Sequence, residues 1–129
     1  MTPARTESVL PLTHLSYHIL LALADAPRHG YGIIKEIESK SAGAMSPSTG
    51  ALYLALQRME EEGLLEESAA RPKEADDDPR RKYYRLTARG RKLATAETER
   101  LAGLLGVAVQ KRLIPGAAVR AAADGGAHV

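Results

Sequence analysis

Apolar residues recur at helical spacing through most of this chain. Leu15, Ile19, Leu20 and Leu23 share one face and predict a first helix over 14–24. Thr13 stands where an N-cap hydroxyl can accept an orphan backbone N–H, and Asp25-Ala26-Pro27 stops the helix. Pro27-Arg28-His29-Gly30 reads as a turn. Ile33, Ile34 and Ile37 then mark a second helix that ends near Ser41, broken by Ser41-Ala42-Gly43. Ser46 as cap and Pro47 at the first helical position predict the start of a third helix. Its inner face carries Leu52, Leu56 and Met59, and Gly63 is its expected left-handed C-cap.

The period then changes. Residues 64–70 and 81–86 read as two short strands joined by a loop over 71–79 that carries Asp76-Asp77-Asp78. In the second strand, parity sets Tyr84 and Leu86 on one face and Tyr83 and Arg85 on the other. Thr87 caps a fourth helix over 88–113, about 40 Å long, which Pro115 ends. Gly103 and Gly106 weaken it and mark a candidate bend. The expected class is mainly α with a small β-hairpin: a winged helix-turn-helix at 13–87 and a long C-terminal dimerisation helix at 88–114. A flexible arm at 1–12 and a disordered tail at 115–129 flank them. Leu101, Leu104, Leu105 and Ala108 stand at i, i+3, i+4 and i+7 on the last helix. Simple core packing is the plainer reading of this stripe, but three short helices and a hairpin can cover only part of so long a helix, so it predicts a homodimer.

Composition narrows the chemistry. Phe, Trp and Cys are absent, so the core is aliphatic, with no disulfide framework, thiolate nucleophile or cysteine zinc site. The lack of Cys fits a reducing compartment. No basic start followed by an apolar run suggests a signal peptide. The longest apolar stretch, 19–24, is far short of the ~20 residues a membrane span needs. A cytoplasmic location without a membrane partner is expected. No nucleophile–base pair, set-apart carboxylate pair or glycine-rich phosphate loop argues for an enzyme. His14 and His18 have metal-ligand spacing but no evident third ligand, so neither metal nor cofactor is expected.

The net charge of +2 decides nothing; its distribution does. Residues 80–92 hold Arg80, Arg81, Lys82, Arg85, Arg89, Arg91 and Lys92 with no acid among them. Such a cluster displaces counterions from a phosphate backbone. A solvated face answering Glu60–Glu62 and Glu66–Glu67 is the plainer reading. On a wing beside a recognition helix, Arg80, Arg81 and Lys82 are the expected phosphate contacts. On the third helix, Tyr53, Leu54 and Gln57 fall opposite Leu52, Leu56 and Met59. Tyr53 can donate to a phosphate, Gln57 can pair with adenine and Leu54 can touch a thymine methyl; the plainer reading makes Tyr53 a half-buried packing residue and leaves Gln57 solvated. Ser48 and Thr49 lie in the first turn, where free N–H groups attract phosphate, and capping is an equal role for them. Tyr31 opens the second helix and can approach a phosphate. The structural alternative has His29 and Tyr31 fixing the turn, its glycines at positive φ.

Four segments, in order, carry a family resemblance: Leu12-Thr13; Arg28-His29-Gly30-Tyr31-Gly32-Ile33; Ser46-Pro47-Ser48-Thr49-Gly50-Ala51-Leu52-Tyr53 through Leu56 and on to Met59-Glu60-Glu61-Glu62-Gly63-Leu64; and Arg80-Arg81-Lys82-Tyr83-Tyr84-Arg85-Leu86-Thr87 with Gly90. Over about 12–113 the chain resembles a PadR-type transcriptional regulator of the short kind with a single C-terminal helix. It departs from that pattern at Leu54, where the family commonly has proline, and in its three consecutive wing aspartates. The resemblance implies a dimeric regulator, a repressor, that binds a two-fold duplex operator. It also implies a small-molecule effector near helices one and four. Tyr17 is the one aromatic available there, which predicts a weakly specified effector site or none. The competing reading is a winged-helix protein-interaction module that does not touch DNA.

Overall fold

The computed structural model describes residues 10–70 and 78–125. Most of the expected arm, most of the wing loop and the last four residues of the expected tail therefore lie outside the described residues. The chain forms two compact units, up to Glu97 and from Thr98 onward.

The first unit is helical with a small three-stranded antiparallel sheet. Helix α1 spans His14–Ala22, and the Thr13 hydroxyl accepts from Ser16 N at 3.1 Å. It ends short of the expected Ala24. The Ala22 carbonyl is taken instead by Arg28 Nε, which donates to it at 2.7 Å. Arg28 and His29, expected as part of a turn, form strand β1. β1 pairs with β3, Tyr83–Leu86, which also pairs with β2, Leu65–Ser68. The hairpin is thus a sheet in the order β1-β3-β2. A two-residue strand has no alternation of its own; its partner lies more than fifty residues downstream.

Helix α2 spans Gly30–Lys40 and α3 spans Thr49–Glu61. The expected start of α3 at Ser46-Pro47 is two residues early. Ser46 Oγ donates to Glu38 Oε2 of α2 at 2.6 Å, and the cap is Ser48, whose hydroxyl accepts from Ala51 N at 3.1 Å. Gly63 closes α3 with φ +79°. Its N–H reaches Glu60 O at 3.0 Å and the Leu64 N–H reaches Met59 O at 2.9 Å, the paired bonds of a left-handed helix stop.

Ile19, Leu20, Ile33, Ile37, Leu52, Leu56, Met59, Leu65 and Tyr84 fill one aliphatic core among the three helices and the sheet. Parity predicted that Tyr83 and Tyr84 face opposite ways, and both are buried. Tyr84 joins the core, and Tyr83 meets the His29 ring edge-on at 5.1 Å.

Helix α4 spans Ala88–Gln110. Thr87 caps it, accepting from Gly90 N at 3.0 Å while its hydroxyl donates to Gly63 O at 2.6 Å. The first unit runs into this helix as far as Glu97 rather than stopping at Thr87, because Leu93, Ala94 and Glu97 are buried. Glu97 Oε2 accepts from the Leu12 N–H at 3.0 Å, tying the chain before α1 to α4. Within the second unit α4 continues through Gly103 and Gly106 without a break. The segment after Pro115, expected to lack order, instead forms helix α5, Gly116–Gly125. Gly116 packs near the Val109 side chain, and Ala118 and Val119 are half-buried. The alanine-rich composition that suggested disorder is also that of a good helix former.

Candidate nucleic-acid interface

Helix α3 divides cleanly by exposure. Leu52, Ala55, Leu56 and Met59 are buried, while Ser48, Thr49, Gly50, Tyr53, Leu54 and Gln57 are exposed. Leu54 is 70% exposed, an aliphatic side chain held in water with no packing reason. Proline at this position would remove a backbone donor inside α3; leucine keeps the hydrogen-bond ladder whole. Tyr53 is 45% exposed, and the end of its phenol lies against the α-carbon of Gly30. Arg58 Nη2 donates to Ser16 Oγ at 2.9 Å, fixing the rotation of α3 on α1.

The start of α2 adds a second group. His29 is its N-cap, with ring Nδ1 accepting from Gly32 N at 3.1 Å. Neither Gly30 nor Gly32 takes positive φ, so the ring cap shapes this start, not left-handed glycines as the sequence suggested. His29 Nε2 lies 3.1 Å from Arg81 Nη1, and its ring lies parallel to that of Tyr31 with centroids 6.4 Å apart. Tyr31 is exposed, with Lys35 Nζ 5.3 Å from its ring centre. The Tyr31 hydroxyl, then Glu38, holds the Lys35 ammonium above the ordinary lysine value. The fold thus gathers Tyr31, Tyr53 and Arg81, from three separate segments, around His29-Gly30. The sequence pointed to all three but not to His29 as the residue joining two of them; a histidine just before a helical run was the available signal.

The wing cations are not alike. Arg80 forms a two-point pair with Asp78, Nε–Oδ1 and Nη2–Oδ2 both at 3.1 Å, and remains 89% exposed. Among the described residues the Arg81 guanidinium meets a histidine and no acid. Lys82 is tied to Glu60 of α3 at 3.3 Å and lies over the Tyr84 ring. Burial opposes the Lys82 charge, but Glu60 outweighs it and holds the ammonium above the ordinary lysine value. Arg85 pairs with Glu66 at 2.8 Å, and Arg91 donates to Ala24 O at 2.8 Å. The plainer reading of the basic cluster therefore holds for Lys82 and Arg85, whose charges are answered by acids on α3 and β2. Burial, with Tyr53 and the acids Glu60 and Glu67 adding to it against Lys82, keeps the Tyr84 phenol protonated above its ordinary value.

Elsewhere in the first unit, His18, Leu21, Ala22, Asp25, Glu36, Ile37 and Lys40 line a cleft of about 370 Å³ between α1 and α2. Tyr17 is not among its walls. In the second unit Leu104, Leu105 and Val107 are exposed on α4, and Leu101 and Ala108 are half-buried. Among the described residues no group of three metal-ligating side chains occurs, and no helix is long and apolar enough to cross a membrane.

Three helices closed by a three-stranded sheet, with an exposed polar and aliphatic face on the third helix, define a winged helix-turn-helix. The transcriptional regulator PadR-like family matches residues 19–96, and the chain belongs to that family. An uncharacterized 37.1 kDa protein of transposon TN4556 from Streptomyces fradiae is 40% identical over 88 residues, 68% of this chain and 23% of that protein. This chain thus spans under a quarter of that relative. The fold is similar to that of a PadR family transcription regulator from Clostridium difficile, with TM-score 0.62 and 26% identity over 76% of this chain and 97% of the other. It is also similar to Bacillus subtilis PadR solved in complex with operator DNA, with TM-score 0.54 and 21% identity over 65% of this chain and 46% of the other. At that identity the likeness is one of fold.

Proposed function

We propose that this chain is a dimeric, DNA-binding transcriptional repressor. The observation that carries the reading is the exposed face of α3, with Tyr53, Leu54 and Gln57 turned away from the core beside the wing root and the start of α2. An exposed leucine flanked by a phenol and a carboxamide suits a major groove, where methyl groups and base-edge acceptors alternate. Tyr31, Ser48, Thr49, Arg80 and Arg81 surround it as phosphate contacts, and Lys82 is a reserve cation neutralised by Glu60. The Bacillus subtilis PadR solved with operator DNA supports the same use of this fold.

The apolar stripe Leu101, Leu104, Leu105 and Ala108 supports pairing with a second copy, which would present two recognition helices to a two-fold operator. A dimer on an operator blocks access of other proteins to that stretch of duplex, which is the simplest route to repression. A small-molecule effector near α1 and α4 belongs to the same reading; the cleft of the first unit lies between α1 and α2 instead, without Tyr17 in its walls.

The test is a titration of duplex DNA across a salt series, read by anisotropy. Binding that weakens linearly in log salt supports the reading. A chain that binds no duplex at low salt is instead a protein-interaction module.

A further inference from the structure

Gly30 is buried at the first position of α2, and its backbone is not left-handed. Nothing in the backbone calls for glycine there, and helix propensity favours alanine. Space is the constraint: a Cβ on Gly30 would overlap the hydroxyl end of Tyr53. The neighbouring glycines differ. A Cβ on Gly32 would make ordinary contacts with the His29 ring, the nearest at 3.5 Å, and one on Gly50 would meet nothing within 4 Å.

We propose that Gly30 is a positioning residue of the DNA interface: its bare α-carbon is the seat that holds the Tyr53 phenol where α3 presents it to phosphate. This rests on the DNA-binding reading above and goes beyond it. A tyrosine on an exposed helix face loses side-chain freedom when it grips a ligand. Seating the ring in advance on a neighbouring helix removes that cost. The same first turn of α2 carries His29 against Arg81 and Tyr31 beside the His29 ring, so one backbone segment sets three of the proposed contacts. The recognition helix and α2 then act as one surface, and the His-Gly-Tyr run is explained by space as well as by capping.

The test is a double-mutant cycle on the full chain: wild type, Gly30→Ala, Tyr53→Ala and the double variant, with Gly32→Ala as a control for the same helix turn. Each is titrated with one duplex and followed by thermal unfolding. Gly30→Ala should weaken DNA binding roughly tenfold, the scale of one charge-assisted hydrogen bond. Gly32→Ala should stay within about twofold, and Gly30→Ala in the Tyr53→Ala background should add less than about twofold. A Gly30→Ala loss that persists at full size without Tyr53 would overturn the inference. If Gly30→Ala does not fold, Tyr53→Ala must restore folding by removing the obstructing phenol, and failure to restore it overturns the inference equally. Wild type that binds no duplex defeats the function itself and this inference with it. Wild type that binds, with additive losses in the cycle, defeats the inference alone.

Discussion

The three consecutive cations at the wing root are alike in sequence, yet the structure predicts unequal effects on DNA binding. Each phosphate that a protein cation neutralises contributes about 0.9 to the slope of log affinity against log salt. Among the described residues the Arg81 guanidinium meets His29 and no acid, so its charge is the one most available to a phosphate. Arg81→Ala should flatten the slope by about 0.9, so a fourfold rise in salt costs the variant about 3.5-fold less affinity than it costs wild type. Lys82 is already paired with Glu60 at 3.3 Å, and Lys82→Ala should change the slope little. The converse follows: Glu60→Gln frees the Lys82 ammonium and should steepen the slope by up to about 0.9. Arg80, held by Asp78 but 89% exposed, should fall between the two. Anisotropy titrations of one labelled duplex at several salt concentrations measure all of these. Equal flattening by Lys82→Ala and Arg81→Ala, or no steepening by Glu60→Gln, would refute the assignment of charges made from the ion pairs.

Other expectations concern the helices and the sheet. Gln57→Ala should relax preference at one base pair by about 1–3 kcal/mol and leave the rest of the site unchanged, read by competition with single-base variants. Replacing Leu101 and Leu105 with Asp should convert dimer to monomer in light scattering, because each buried leucine lost forfeits about 1.5–3 kcal/mol and each aspartate adds a charge to the interface. Wild type that scatters as a monomer at tens of micromolar contradicts this. In alkali, Tyr84 and Lys82 both titrate above their ordinary values of 10.0 and 10.5 in the folded chain. The unfolded chain therefore releases these protons first. The stability these two groups contribute should be fully present below about pH 10 and be lost as pH rises through the folded values. Thermal melts of Tyr84→Phe should show a shallower fall than wild type.

What could be read from the sequence was what depends on local period. The inner face of α3, with Leu52, Leu56 and Met59, follows from spacing alone, and so does the exposed set Tyr53, Leu54 and Gln57. Gly63 was legible because a glycine after a helical run has few other uses. What depends on distant partners was not. Strand β1 exists only because Tyr83 and Tyr84 pair with it. Ser46 and Ser48 are equally good caps in sequence, and the choice between them is made by Glu38 of another helix. Glu97 reads as one more surface acid of a long helix, yet it is buried and holds the Leu12 N–H. The wing cations were visible as a cluster, but which of them α3 and β2 neutralise was decided by the fold.

If α3 reads sequence in duplex DNA as part of a two-fold dimer, selection of bound fragments from random duplex DNA should enrich two inverted half-sites whose centres lie about one helical turn, or a whole multiple of it, apart. Enrichment of a single half-site would contradict the dimer, and retention of fragments without any shared sequence would contradict readout by Tyr53, Leu54 and Gln57.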